Sequence, residues 1–480
     1  MNKRIILNLL GNILLIEGAF MALPIIVGML YHEASLVYFV ITMVAALGVG
    51  ALLSLLHPAN REMYAKEGFI IVALGWILLS LVGALPFFLS GQIPNYLDAV
   101  FEAISGFSTT GASILINVEI LDHCMLFWRS FTHWLGGMGV LMFILAVVPQ
   151  AGGQSIYLMR AESPGPSVSK IMPKMRRSAG VLYGIYLGLS MLELILLLAG
   201  GMPLFDALCN TFATAGTGGF GLWSNSIAHY ESYYLQGIIT VFMVLFSTNF
   251  NIFFFLLIGR PRLALHNTEL RWFLAILCGS IAAITWNIHT MFPSLFQAFH
   301  HAAFTVSSIM STTGFSTANF DAWPEFSRIV LVFLMFTGGC AGSTCGGIKV
   351  SRIIIMVKNA VNEVRRLVHP RSVSVILVDG KRLPEETLQG VNSFMLIYII
   401  VALASILLVS LDNFDTTSTV TAVIATLNNI GPGLNLVGAT GNYAAFSALS
   451  KIVMCLDMLF GRLELFPMLI LLTPGTWRKK

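Results

Sequence analysis

Ten apolar stretches, separated by short polar segments, restrict this chain of 480 residues to folds that cross a membrane. Most reach the ~20 residues that a helix needs to span a hydrocarbon core of ~30 Å. Only 10% of the residues are charged, against about 25% in an average soluble domain, which excludes a water-exposed fold. We therefore predict an all-α integral membrane protein with spans at residues 5–29, 36–56, 69–89, 133–149, 181–198, 235–258, 272–292, 329–356, 391–411 and 446–472.

Lysine and arginine residues lie in alternate loops between these spans. The positive-inside rule places such loops in the cytoplasm, so we predict a multi-pass protein of the cytoplasmic (inner) membrane with both termini inside. The first span is too long for a signal peptide and lacks a small-residue cleavage site, so we expect it to be retained. The basic residues in question are Arg61, Lys66, Arg160, Lys170, Lys174, Arg176, Arg177, Arg260, Arg262, Arg271, Lys358, Arg365, Arg366, Arg371, Lys381, Arg382, Arg478, Lys479 and Lys480.

Four segments between the spans align on one glycine each, which indicates an internal fourfold repeat. Each unit predicts a span, a short re-entrant helix, an extended polar loop and a second span. Non-helical backbone at membrane depth is tolerated only where it is buried in protein or lines a water-filled cavity. We therefore predict that the four loops meet around a central axis, in pseudo-fourfold order. The segments are "DAVFEAISGFSTTGAS" (98–113), "DALCNTFATAGTGGFG" (206–221), "HAAFTVSSIMSTTGFS" (301–316) and "STVTAVIATLNNIGPG" (418–433).

The residue types in these loops suit a path for a monovalent cation. Glycine permits positive φ and leaves backbone carbonyls free to face a lumen. Rings of carbonyl oxygens, with hydroxyls nearby, can replace the hydration shell of such an ion. A single "TTG" could equally be a polar turn or a close helix contact, but four aligned copies favour the pathway. The predicted filter residues are Thr109, Thr110, Gly111, Thr217, Gly218, Gly219, Thr312, Thr313, Gly314, Asn429, Ile430 and Gly431.

The eighth span contains the string "GGCAGSTCGGIK" (338–349), in which glycine is dense enough to unwind a helix. A phosphate-binding loop is a weaker interpretation, because the lysine does not follow the glycine directly and no strand precedes it. Close helix packing through glycine is a further alternative. We predict a flexible gating loop at 338–347, whose gate residues are Gly338, Gly339, Gly342, Ser343, Thr344, Gly346 and Gly347, together with Arg462.

Arg462 lies within the last span, where a charge is costly and usually faces a cavity or a partner. It follows Gly431 by 31 residues, and the same offset from Gly314 falls inside the glycine-rich string. From Gly219 that offset reaches Phe250, which is flanked by two asparagines. We therefore expect these three features at one level. The alternative is a structural ion pair of Arg462 with Asp457 or Glu464.

Several other polar residues lie in apolar segments. Glu17 and Glu193 could hydrogen-bond a neighbouring helix or carry protons, and Lys451 is expected to extend toward the outer interface. The six cysteines show no metal-ligand spacing, so buried, unpaired thiols are expected. No soluble catalytic domain, paired carboxylates or nucleophile with a base is found in the sequence, so we do not expect an enzyme. Nor do we expect a nucleic-acid partner or a cofactor.

The four aligned units and the additional pair of N-terminal helices resemble the Trk/Ktr/HKT superfamily of potassium transporters, and within it the Trk-type membrane subunits. This resemblance covers nearly the whole chain and implies potassium uptake through a gated pore, with K⁺ as the transported ion. It also implies a homodimer and a cytosolic nucleotide-binding regulatory ring (TrkA-like) as partner. In plant members a serine at the first glycine position accompanies sodium preference, whereas Gly111 here favours potassium.

The predicted organisation follows the repeat. A proton- or sodium-coupled symporter with alternating access remains the alternative function, although such carriers usually show inverted repeats. A structural scaffold would leave the four polar loops unexplained. The predicted parts are an N-terminal extension of two helices (1–60), pore unit 1 (61–150), a basic cytoplasmic loop (151–177), pore unit 2 (178–262), pore unit 3 (263–372) and pore unit 4 (373–480).

Overall fold

The computed structural model describes residues 2–56, 64–137, 139, 175–369 and 375–477. The predicted basic loop 151–177 lies outside this part of the chain, except for the backbone from Met175 onward. The predicted orientation also relied on basic residues that lie outside it, namely Arg61, Arg160, Lys170, Lys174, Arg371, Arg478, Lys479 and Lys480.

The described chain is helical apart from one hairpin. Its two strands, β1 (Leu377–Val378) and β2 (Lys381–Arg382), pair antiparallel. The α-helices are α1 (Lys3–Phe20), α2 (Ala22–Leu30), α3 (Leu36–Ser54), α4 (Ala65–Gly83), α5 (Leu85–Leu89), α6 (Tyr96–Phe107), α7 (His123–Gly137), α8 (Met175–Ala199), α9 (Leu204–Ala215), α10 (Tyr233–Phe246), α11 (Phe250–Leu257), α12 (Pro261–Leu265), α13 (Thr268–Ile288), α14 (Leu295–Met310), α15 (Glu325–Met335), α16 (Val350–Val368), α17 (Glu385–Val409), α18 (Thr416–Leu427), α19 (Ala448–Arg462), α20 (Phe466–Leu472) and α21 (Pro474–Trp477). Six short 3₁₀ turns lie between them, at Val118–Ile120, Ser226–His229, His289–Met291, Phe320–Ala322, Ser410–Asp412 and Asn435–Val437.

Within the described residues, six helical segments are long and apolar enough to cross a membrane, or seven if the bent pair α10 and α11 counts as one span. They coincide with the predicted first, second, third, fifth, sixth, seventh and ninth spans. The eighth and tenth predicted spans each correspond to two shorter helices, α15 with α16 and α19 with α20. Most of the fourth predicted span lies outside the described residues; its first residues belong to α7, which begins at His123.

In units 2, 3 and 4, the span that follows the polar loop is interrupted by a break in the helix. The corresponding span of unit 1 is not fully described. The chain bends by 93° between α10 and α11, at Ser247 to Asn249. Helices α15 and α16 are separated by residues 336–349, and α19 and α20 by residues 463–465. The sequence predicted the break in the third unit, but it did not predict the breaks within the sixth and tenth spans.

Local chemistry explains the two breaks that the sequence analysis missed. Asn249 accepts a hydrogen bond from the Asn251 backbone N–H at 2.9 Å and so caps a new helix. At the other break, Glu464 and Leu465 adopt positive φ angles of 55° and 66°. Pro467, in the first turn of α20, lacks an N–H and starts a helix there more readily than it continues one.

The two N-terminal spans pack closely against each other and against the first unit. A β-carbon on Gly11 of α1 would approach the Gly50 carbonyl oxygen of α3 to 2.8 Å. Small residues of this kind let membrane helices approach at backbone distance. The contact between Gly11 and Gly50 therefore holds α1 and α3 together as a pair.

Two of the predictions for polar and sulfur groups need correction. Lys451 is buried, and its ammonium pairs with Asp98 at 2.7 Å instead of extending to the interface. All six cysteines are free, as predicted, and five are buried, but Cys278 is exposed. Cys278 lies on α13, whose sequence is apolar enough to face lipid.

Candidate functional site

Four short helices, α6, α9, α14 and α18, end in the same hydrogen-bonded turn. In the first, Thr110 N–H donates to Ser105 O at 2.9 Å and Thr109 N–H to Gly106 O at 3.1 Å. These two bonds define the Schellman motif, in which one residue takes the left-handed conformation, usually as glycine. Here that residue is never glycine: φ is 57° at Thr109, 53° at Thr217, 55° at Thr312 and 55° at Asn429.

A threonine in this conformation is strained, because its branched side chain crowds the backbone. Such strain persists only where surrounding contacts hold the residue, and it is frequent at functional sites. Two positions later each loop has a second positive φ, now at glycine: 78° at Gly111, 75° at Gly219, 87° at Gly314 and 93° at Gly431. The predicted filter triplets therefore share one backbone conformation, although two of the four lack the threonine pair.

The four loops, which we call the glycine loops, contact one another in a closed ring. A β-carbon on Gly111 would overlap the carbonyl oxygen of Gly218 in the next loop. The same holds for Gly219 with the Thr313 carbonyl, for Gly314 with the Ile430 carbonyl, and for Gly431 with the Thr110 carbonyl. Each glycine thus lies against the carbonyl that precedes the glycine of the next loop, and the fourth loop returns to the first. All four glycines line one recess at the mouth of the ring.

Most of the threonine hydroxyls of the glycine loops bind protein atoms. Thr110 and Thr313 pair at 2.7 Å with Ser108 and Ser311, two residues earlier in their loops. Asn429 Nδ2 donates to the Thr110 hydroxyl at 2.9 Å, which joins the fourth loop to the first. These bonds use the hydroxyls to hold the loops in register.

A buried ion pair, which the sequence analysis missed, binds the segments that directly follow the first and second glycine loops. Arg129 Nε donates to Glu102 Oε1 at 2.6 Å, and both side chains are at most 3% exposed. Glu102 also accepts from Ile114 N–H at 3.0 Å, just after the first loop. A second Arg129 nitrogen donates to the carbonyl of Gly221, just after the second loop, at 2.9 Å. The pair therefore connects adjacent quarters of the ring.

Removing one partner of this pair is expected to destabilise the protein strongly. Arg129→Met leaves the Glu102 charge buried and unpaired, which costs about 3–5 kcal/mol of unfolding free energy. The matched control is Arg366→Met, since the Arg366 and Glu363 side chains are 68% and 61% exposed and lie 3.9 Å apart, and an exposed pair contributes only about 0.2–1 kcal/mol. Thermal unfolding in detergent measures both, and equal, small losses would contradict a supporting role for Arg129.

The glycine-rich break, residues 336–349, lies directly against the glycine loops. Gly346 N–H donates to the Thr312 hydroxyl at 2.9 Å, and the Cys345 thiol donates to Ser311 O at 2.9 Å. A β-carbon on Gly346 would come within 2.6 Å of the Asn429 β-carbon. The break therefore contacts the third and fourth loops at their left-handed residues.

The break also docks on the bend between α10 and α11. Cys340 N–H donates to Ser247 O at 2.9 Å, and Phe250 N–H donates to Gly342 O at 3.0 Å. The Thr344 hydroxyl donates to Phe246 O at 3.1 Å. The break of the third unit therefore packs against the bend of the second unit, as the sequence offsets predicted.

Arg462 connects the break to the first unit. One of its nitrogens donates to Thr344 O at 2.7 Å and to the Thr109 hydroxyl at 3.3 Å. The other donates to Gly137 O at 2.8 Å and also to Gly136 O. The two carboxylates of the predicted structural alternative are engaged elsewhere: Asp457 accepts from Ser405 at 2.7 Å, and Glu464 pairs with Arg352.

Every predicted gate residue lies in or beside this contact region. Sequence reasoning did not assign roles to two buried charges there, Lys349 and Glu269. The Lys349 ammonium donates to Gly346 O at 3.1 Å and to Cys345 O. It therefore satisfies two backbone carbonyls of the break, in which it lies itself. The lysine stands at the end of the quoted string, and its presence beside so many glycines is the signal that could have identified it.

The comparisons with known proteins agree with this geometry. The family model for TrkH, described as a cation transport protein, matches residues 35–475. The chain belongs to the TrkH family. This is a family of transport proteins and not of enzymes, as the sequence predicted.

Full-length relatives and a crystal structure support that assignment. The chain is 36% identical to the Trk system potassium uptake protein TrkH of Salmonella typhimurium and of Escherichia coli, with 100% of each chain covered. It is 32% identical to TrkG of Escherichia coli over 99% of both chains. The crystal structure of the potassium transporter TrkH from Vibrio parahaemolyticus superposes with a TM-score of 0.90 at 34% identity, covering 100% of both chains.

Proposed function

We propose that this chain is the membrane subunit of a Trk-type potassium uptake system and conducts K⁺ through the ring of glycine loops. The observation that carries the proposal is the closed ring itself, in which four equivalent carbonyls, of Thr110, Gly218, Thr313 and Ile430, face four equivalent glycines. Rings of backbone carbonyls of this kind can replace the water around a dehydrated K⁺ ion. The similar relatives are named as potassium uptake proteins.

The proposed topology has ten crossings, with four short helices that enter and do not cross. Six or seven helical segments in the described chain are long enough to span by themselves. The eighth and tenth crossings combine a short helix with the segment beyond its break, as α15 and α16 do, and the continuation of the fourth lies outside the described residues. Broken helices are tolerated at membrane depth where the freed backbone groups find partners in protein, and the break at 336–349 finds them in Ser247, Phe246 and Glu269.

The glycine-rich break and Arg462 form the proposed gate. The break lies against the left-handed residues of the glycine loops, and Arg462 brings a positive charge to the same level. A permeating cation would meet this charge directly after leaving the carbonyl ring. Movement of the break away from Thr312 would open the path.

We propose that the protein lies in the inner membrane, with its basic loops and both termini on the cytoplasmic side. We further propose that it acts as a homodimer. A cytosolic nucleotide-binding regulatory subunit would dock on the basic face. On α16, Arg365 and Arg366 are exposed beside the exposed apolar side chains of Val364 and Leu367. Such a mixed surface suits a protein partner, since interfaces combine apolar contact with charged residues at the rim.

Ion-coupled symport is the second candidate, and one observation favours it. Glu17 is 1% exposed, and neither of its carboxyl oxygens has a hydrogen-bond partner among the described residues. A buried carboxyl of this kind is stable in its protonated form. It could therefore carry a proton with the transported ion.

Flux measurements in liposomes distinguish the two candidates. We expect the purified chain to pass K⁺ down its own gradient with no proton or sodium gradient, and to pass Na⁺ more slowly. Glu17→Gln should leave this flux unchanged. Strict dependence of K⁺ uptake on a proton gradient, lost in Glu17→Gln, would instead establish symport. Absence of K⁺ flux under every gradient would contradict both.

A further inference from the structure

One carboxylate oxygen connects the glycine-rich break to the first turn of α16. Glu269 Oε1 accepts a hydrogen bond from Ala341 N–H at 2.8 Å, near the middle of the break. The same oxygen accepts from Ser351 N–H at 3.0 Å, in the first turn of α16, where the break ends. The Glu269 side chain belongs to α13 and is buried, with 8% of the residue exposed.

These two bonds are strong for a physical reason. Hydrogen bonds to an ionised acceptor are roughly twice as strong as neutral ones. The N–H of Ser351 is also one of the first N–H groups of a helix, where the helix dipole favours a negative charge. Because a single oxygen serves both donors, a displacement of α16 from α13 would pull the oxygen away from Ala341 or break the bond to Ser351.

The residue next to Glu269 is connected to the β-hairpin. Thr268 N–H donates to Asp379 Oδ1 at 2.7 Å. Asp379 and Gly380 form the two-residue turn of the hairpin, with φ angles of 50° and 73°, as expected for a tight β-turn. Lys358 of α16 donates to Leu377 O of the first strand at 2.7 Å. The hairpin, the start of α13 and α16 therefore form one connected group.

We propose that Glu269 is a positioning residue that keeps the glycine-rich break closed and couples it to movement of α16 and the hairpin. The proposal rests on the proposed function of the break as a gate, and it adds the connection by which a partner at the basic face would act on that gate. A partner that shifts the hairpin or α16 by the length of a hydrogen bond would release Ala341. The break would then lose its anchor on α13.

The test compares Glu269→Gln with wild type by two readouts. The first is K⁺ efflux from liposomes. The second is the labelling rate of Cys345, which is 1% exposed in the break, by a small charged thiol reagent, followed residue by residue with mass spectrometry. Glutamine keeps the shape of the side chain but offers a neutral acceptor to both donors. We expect both rates to rise about tenfold, with the ratio of K⁺ to Na⁺ flux unchanged.

Two further variants make the result specific. Glu231→Gln is the matched control, because Glu231 is exposed and is distant from the break in sequence. This substitution should change neither rate. Asp379→Gly removes the hairpin's bond to Thr268 at an exposed site, and glycine tolerates the φ of 50° found there. It should raise Cys345 labelling in the same direction as Glu269→Gln but by less.

The outcomes separate the inference from the proposed function. Labelling and efflux within twofold of wild type in a folded Glu269→Gln protein would overturn the role of Glu269. Unchanged labelling in Asp379→Gly would overturn the coupling to the hairpin. A wild-type protein that passes no K⁺ would overturn the proposed function, whereas the labelling comparison would still decide whether Glu269 holds the break.

Discussion

Gly111→Ala is expected to reduce K⁺ flux at least tenfold and to abolish the preference for K⁺ over Na⁺. The new β-carbon would overlap the Gly218 carbonyl oxygen, which is backbone and cannot rotate away. Alanine at the φ of 78° also costs about 1–2 kcal/mol in left-handed strain. The second loop must therefore shift, and its carbonyl leaves the ring. Paired K⁺ and Na⁺ fluxes in liposomes measure the effect.

Gly237→Ala provides the matched control for this substitution. Gly237 lies in α10, and a β-carbon there would meet nothing within 4 Å. The exchange should leave flux and selectivity intact, because alanine in a helix interior is favoured over glycine by about 0.5–1 kcal/mol. If a normally expressed Gly111→Ala protein kept the wild-type selectivity, the glycine loops could not be the filter.

Arg462→Gln is expected to raise basal K⁺ flux about tenfold or more. The substitution removes the charge that a permeating cation meets, and at an effective dielectric constant of 20 two unit charges 4 Å apart repel by about 4 kcal/mol. It also weakens the bond to Thr344 O, which holds the glycine-rich break against the first unit. Selectivity should be preserved, since the carbonyl ring is unchanged. Flux from the reconstituted protein, without a regulatory partner, is the measurement.

Arg366→Gln is the control for the loss of a positive charge. The Arg366 side chain is 68% exposed and lies 3.9 Å from Glu363, so its removal should leave basal flux at the wild-type level. Wild-type flux in Arg462→Gln as well would remove Arg462 from the gate. The arginine would then serve only to bind backbone carbonyls of two units.

The sequence offsets correctly predicted which segments of three different units lie together. Counting from the aligned glycines placed Arg462, the glycine-rich string and the asparagines around Phe250 together, and the structure brings Arg462 to Thr344 and Gly342 to Phe250. The counting works because equivalent helices in a repeat advance by the same rise per residue. Counting residues gives only the depth of a residue along its helix, so it could not show which atoms bind Arg462.

The breaks in the second and fourth units were missed for a different reason. Ser247 to Asn249 and Glu464 to Leu465 interrupt strongly apolar stretches with few polar residues and without dense glycine. Hydropathy averaged over a window of about 19 residues does not register so short an interruption. The backbone bends there because tertiary partners accept the freed hydrogen bonds, as the Ser247 carbonyl does for Cys340 N–H.

The sequence by itself determined the class of protein, the fourfold repeat and the place where the third unit unwinds. These depend on local properties: the length of apolar stretches, the recurrence of a glycine and the low helix propensity of glycine runs. Only the tertiary structure decided that each glycine faces a carbonyl of the next loop, and that Glu102, Arg129, Lys349 and Glu269 hold these elements in place. Such contacts join backbone and side-chain atoms of separate units, and their geometry exists only once the units have packed around a common axis.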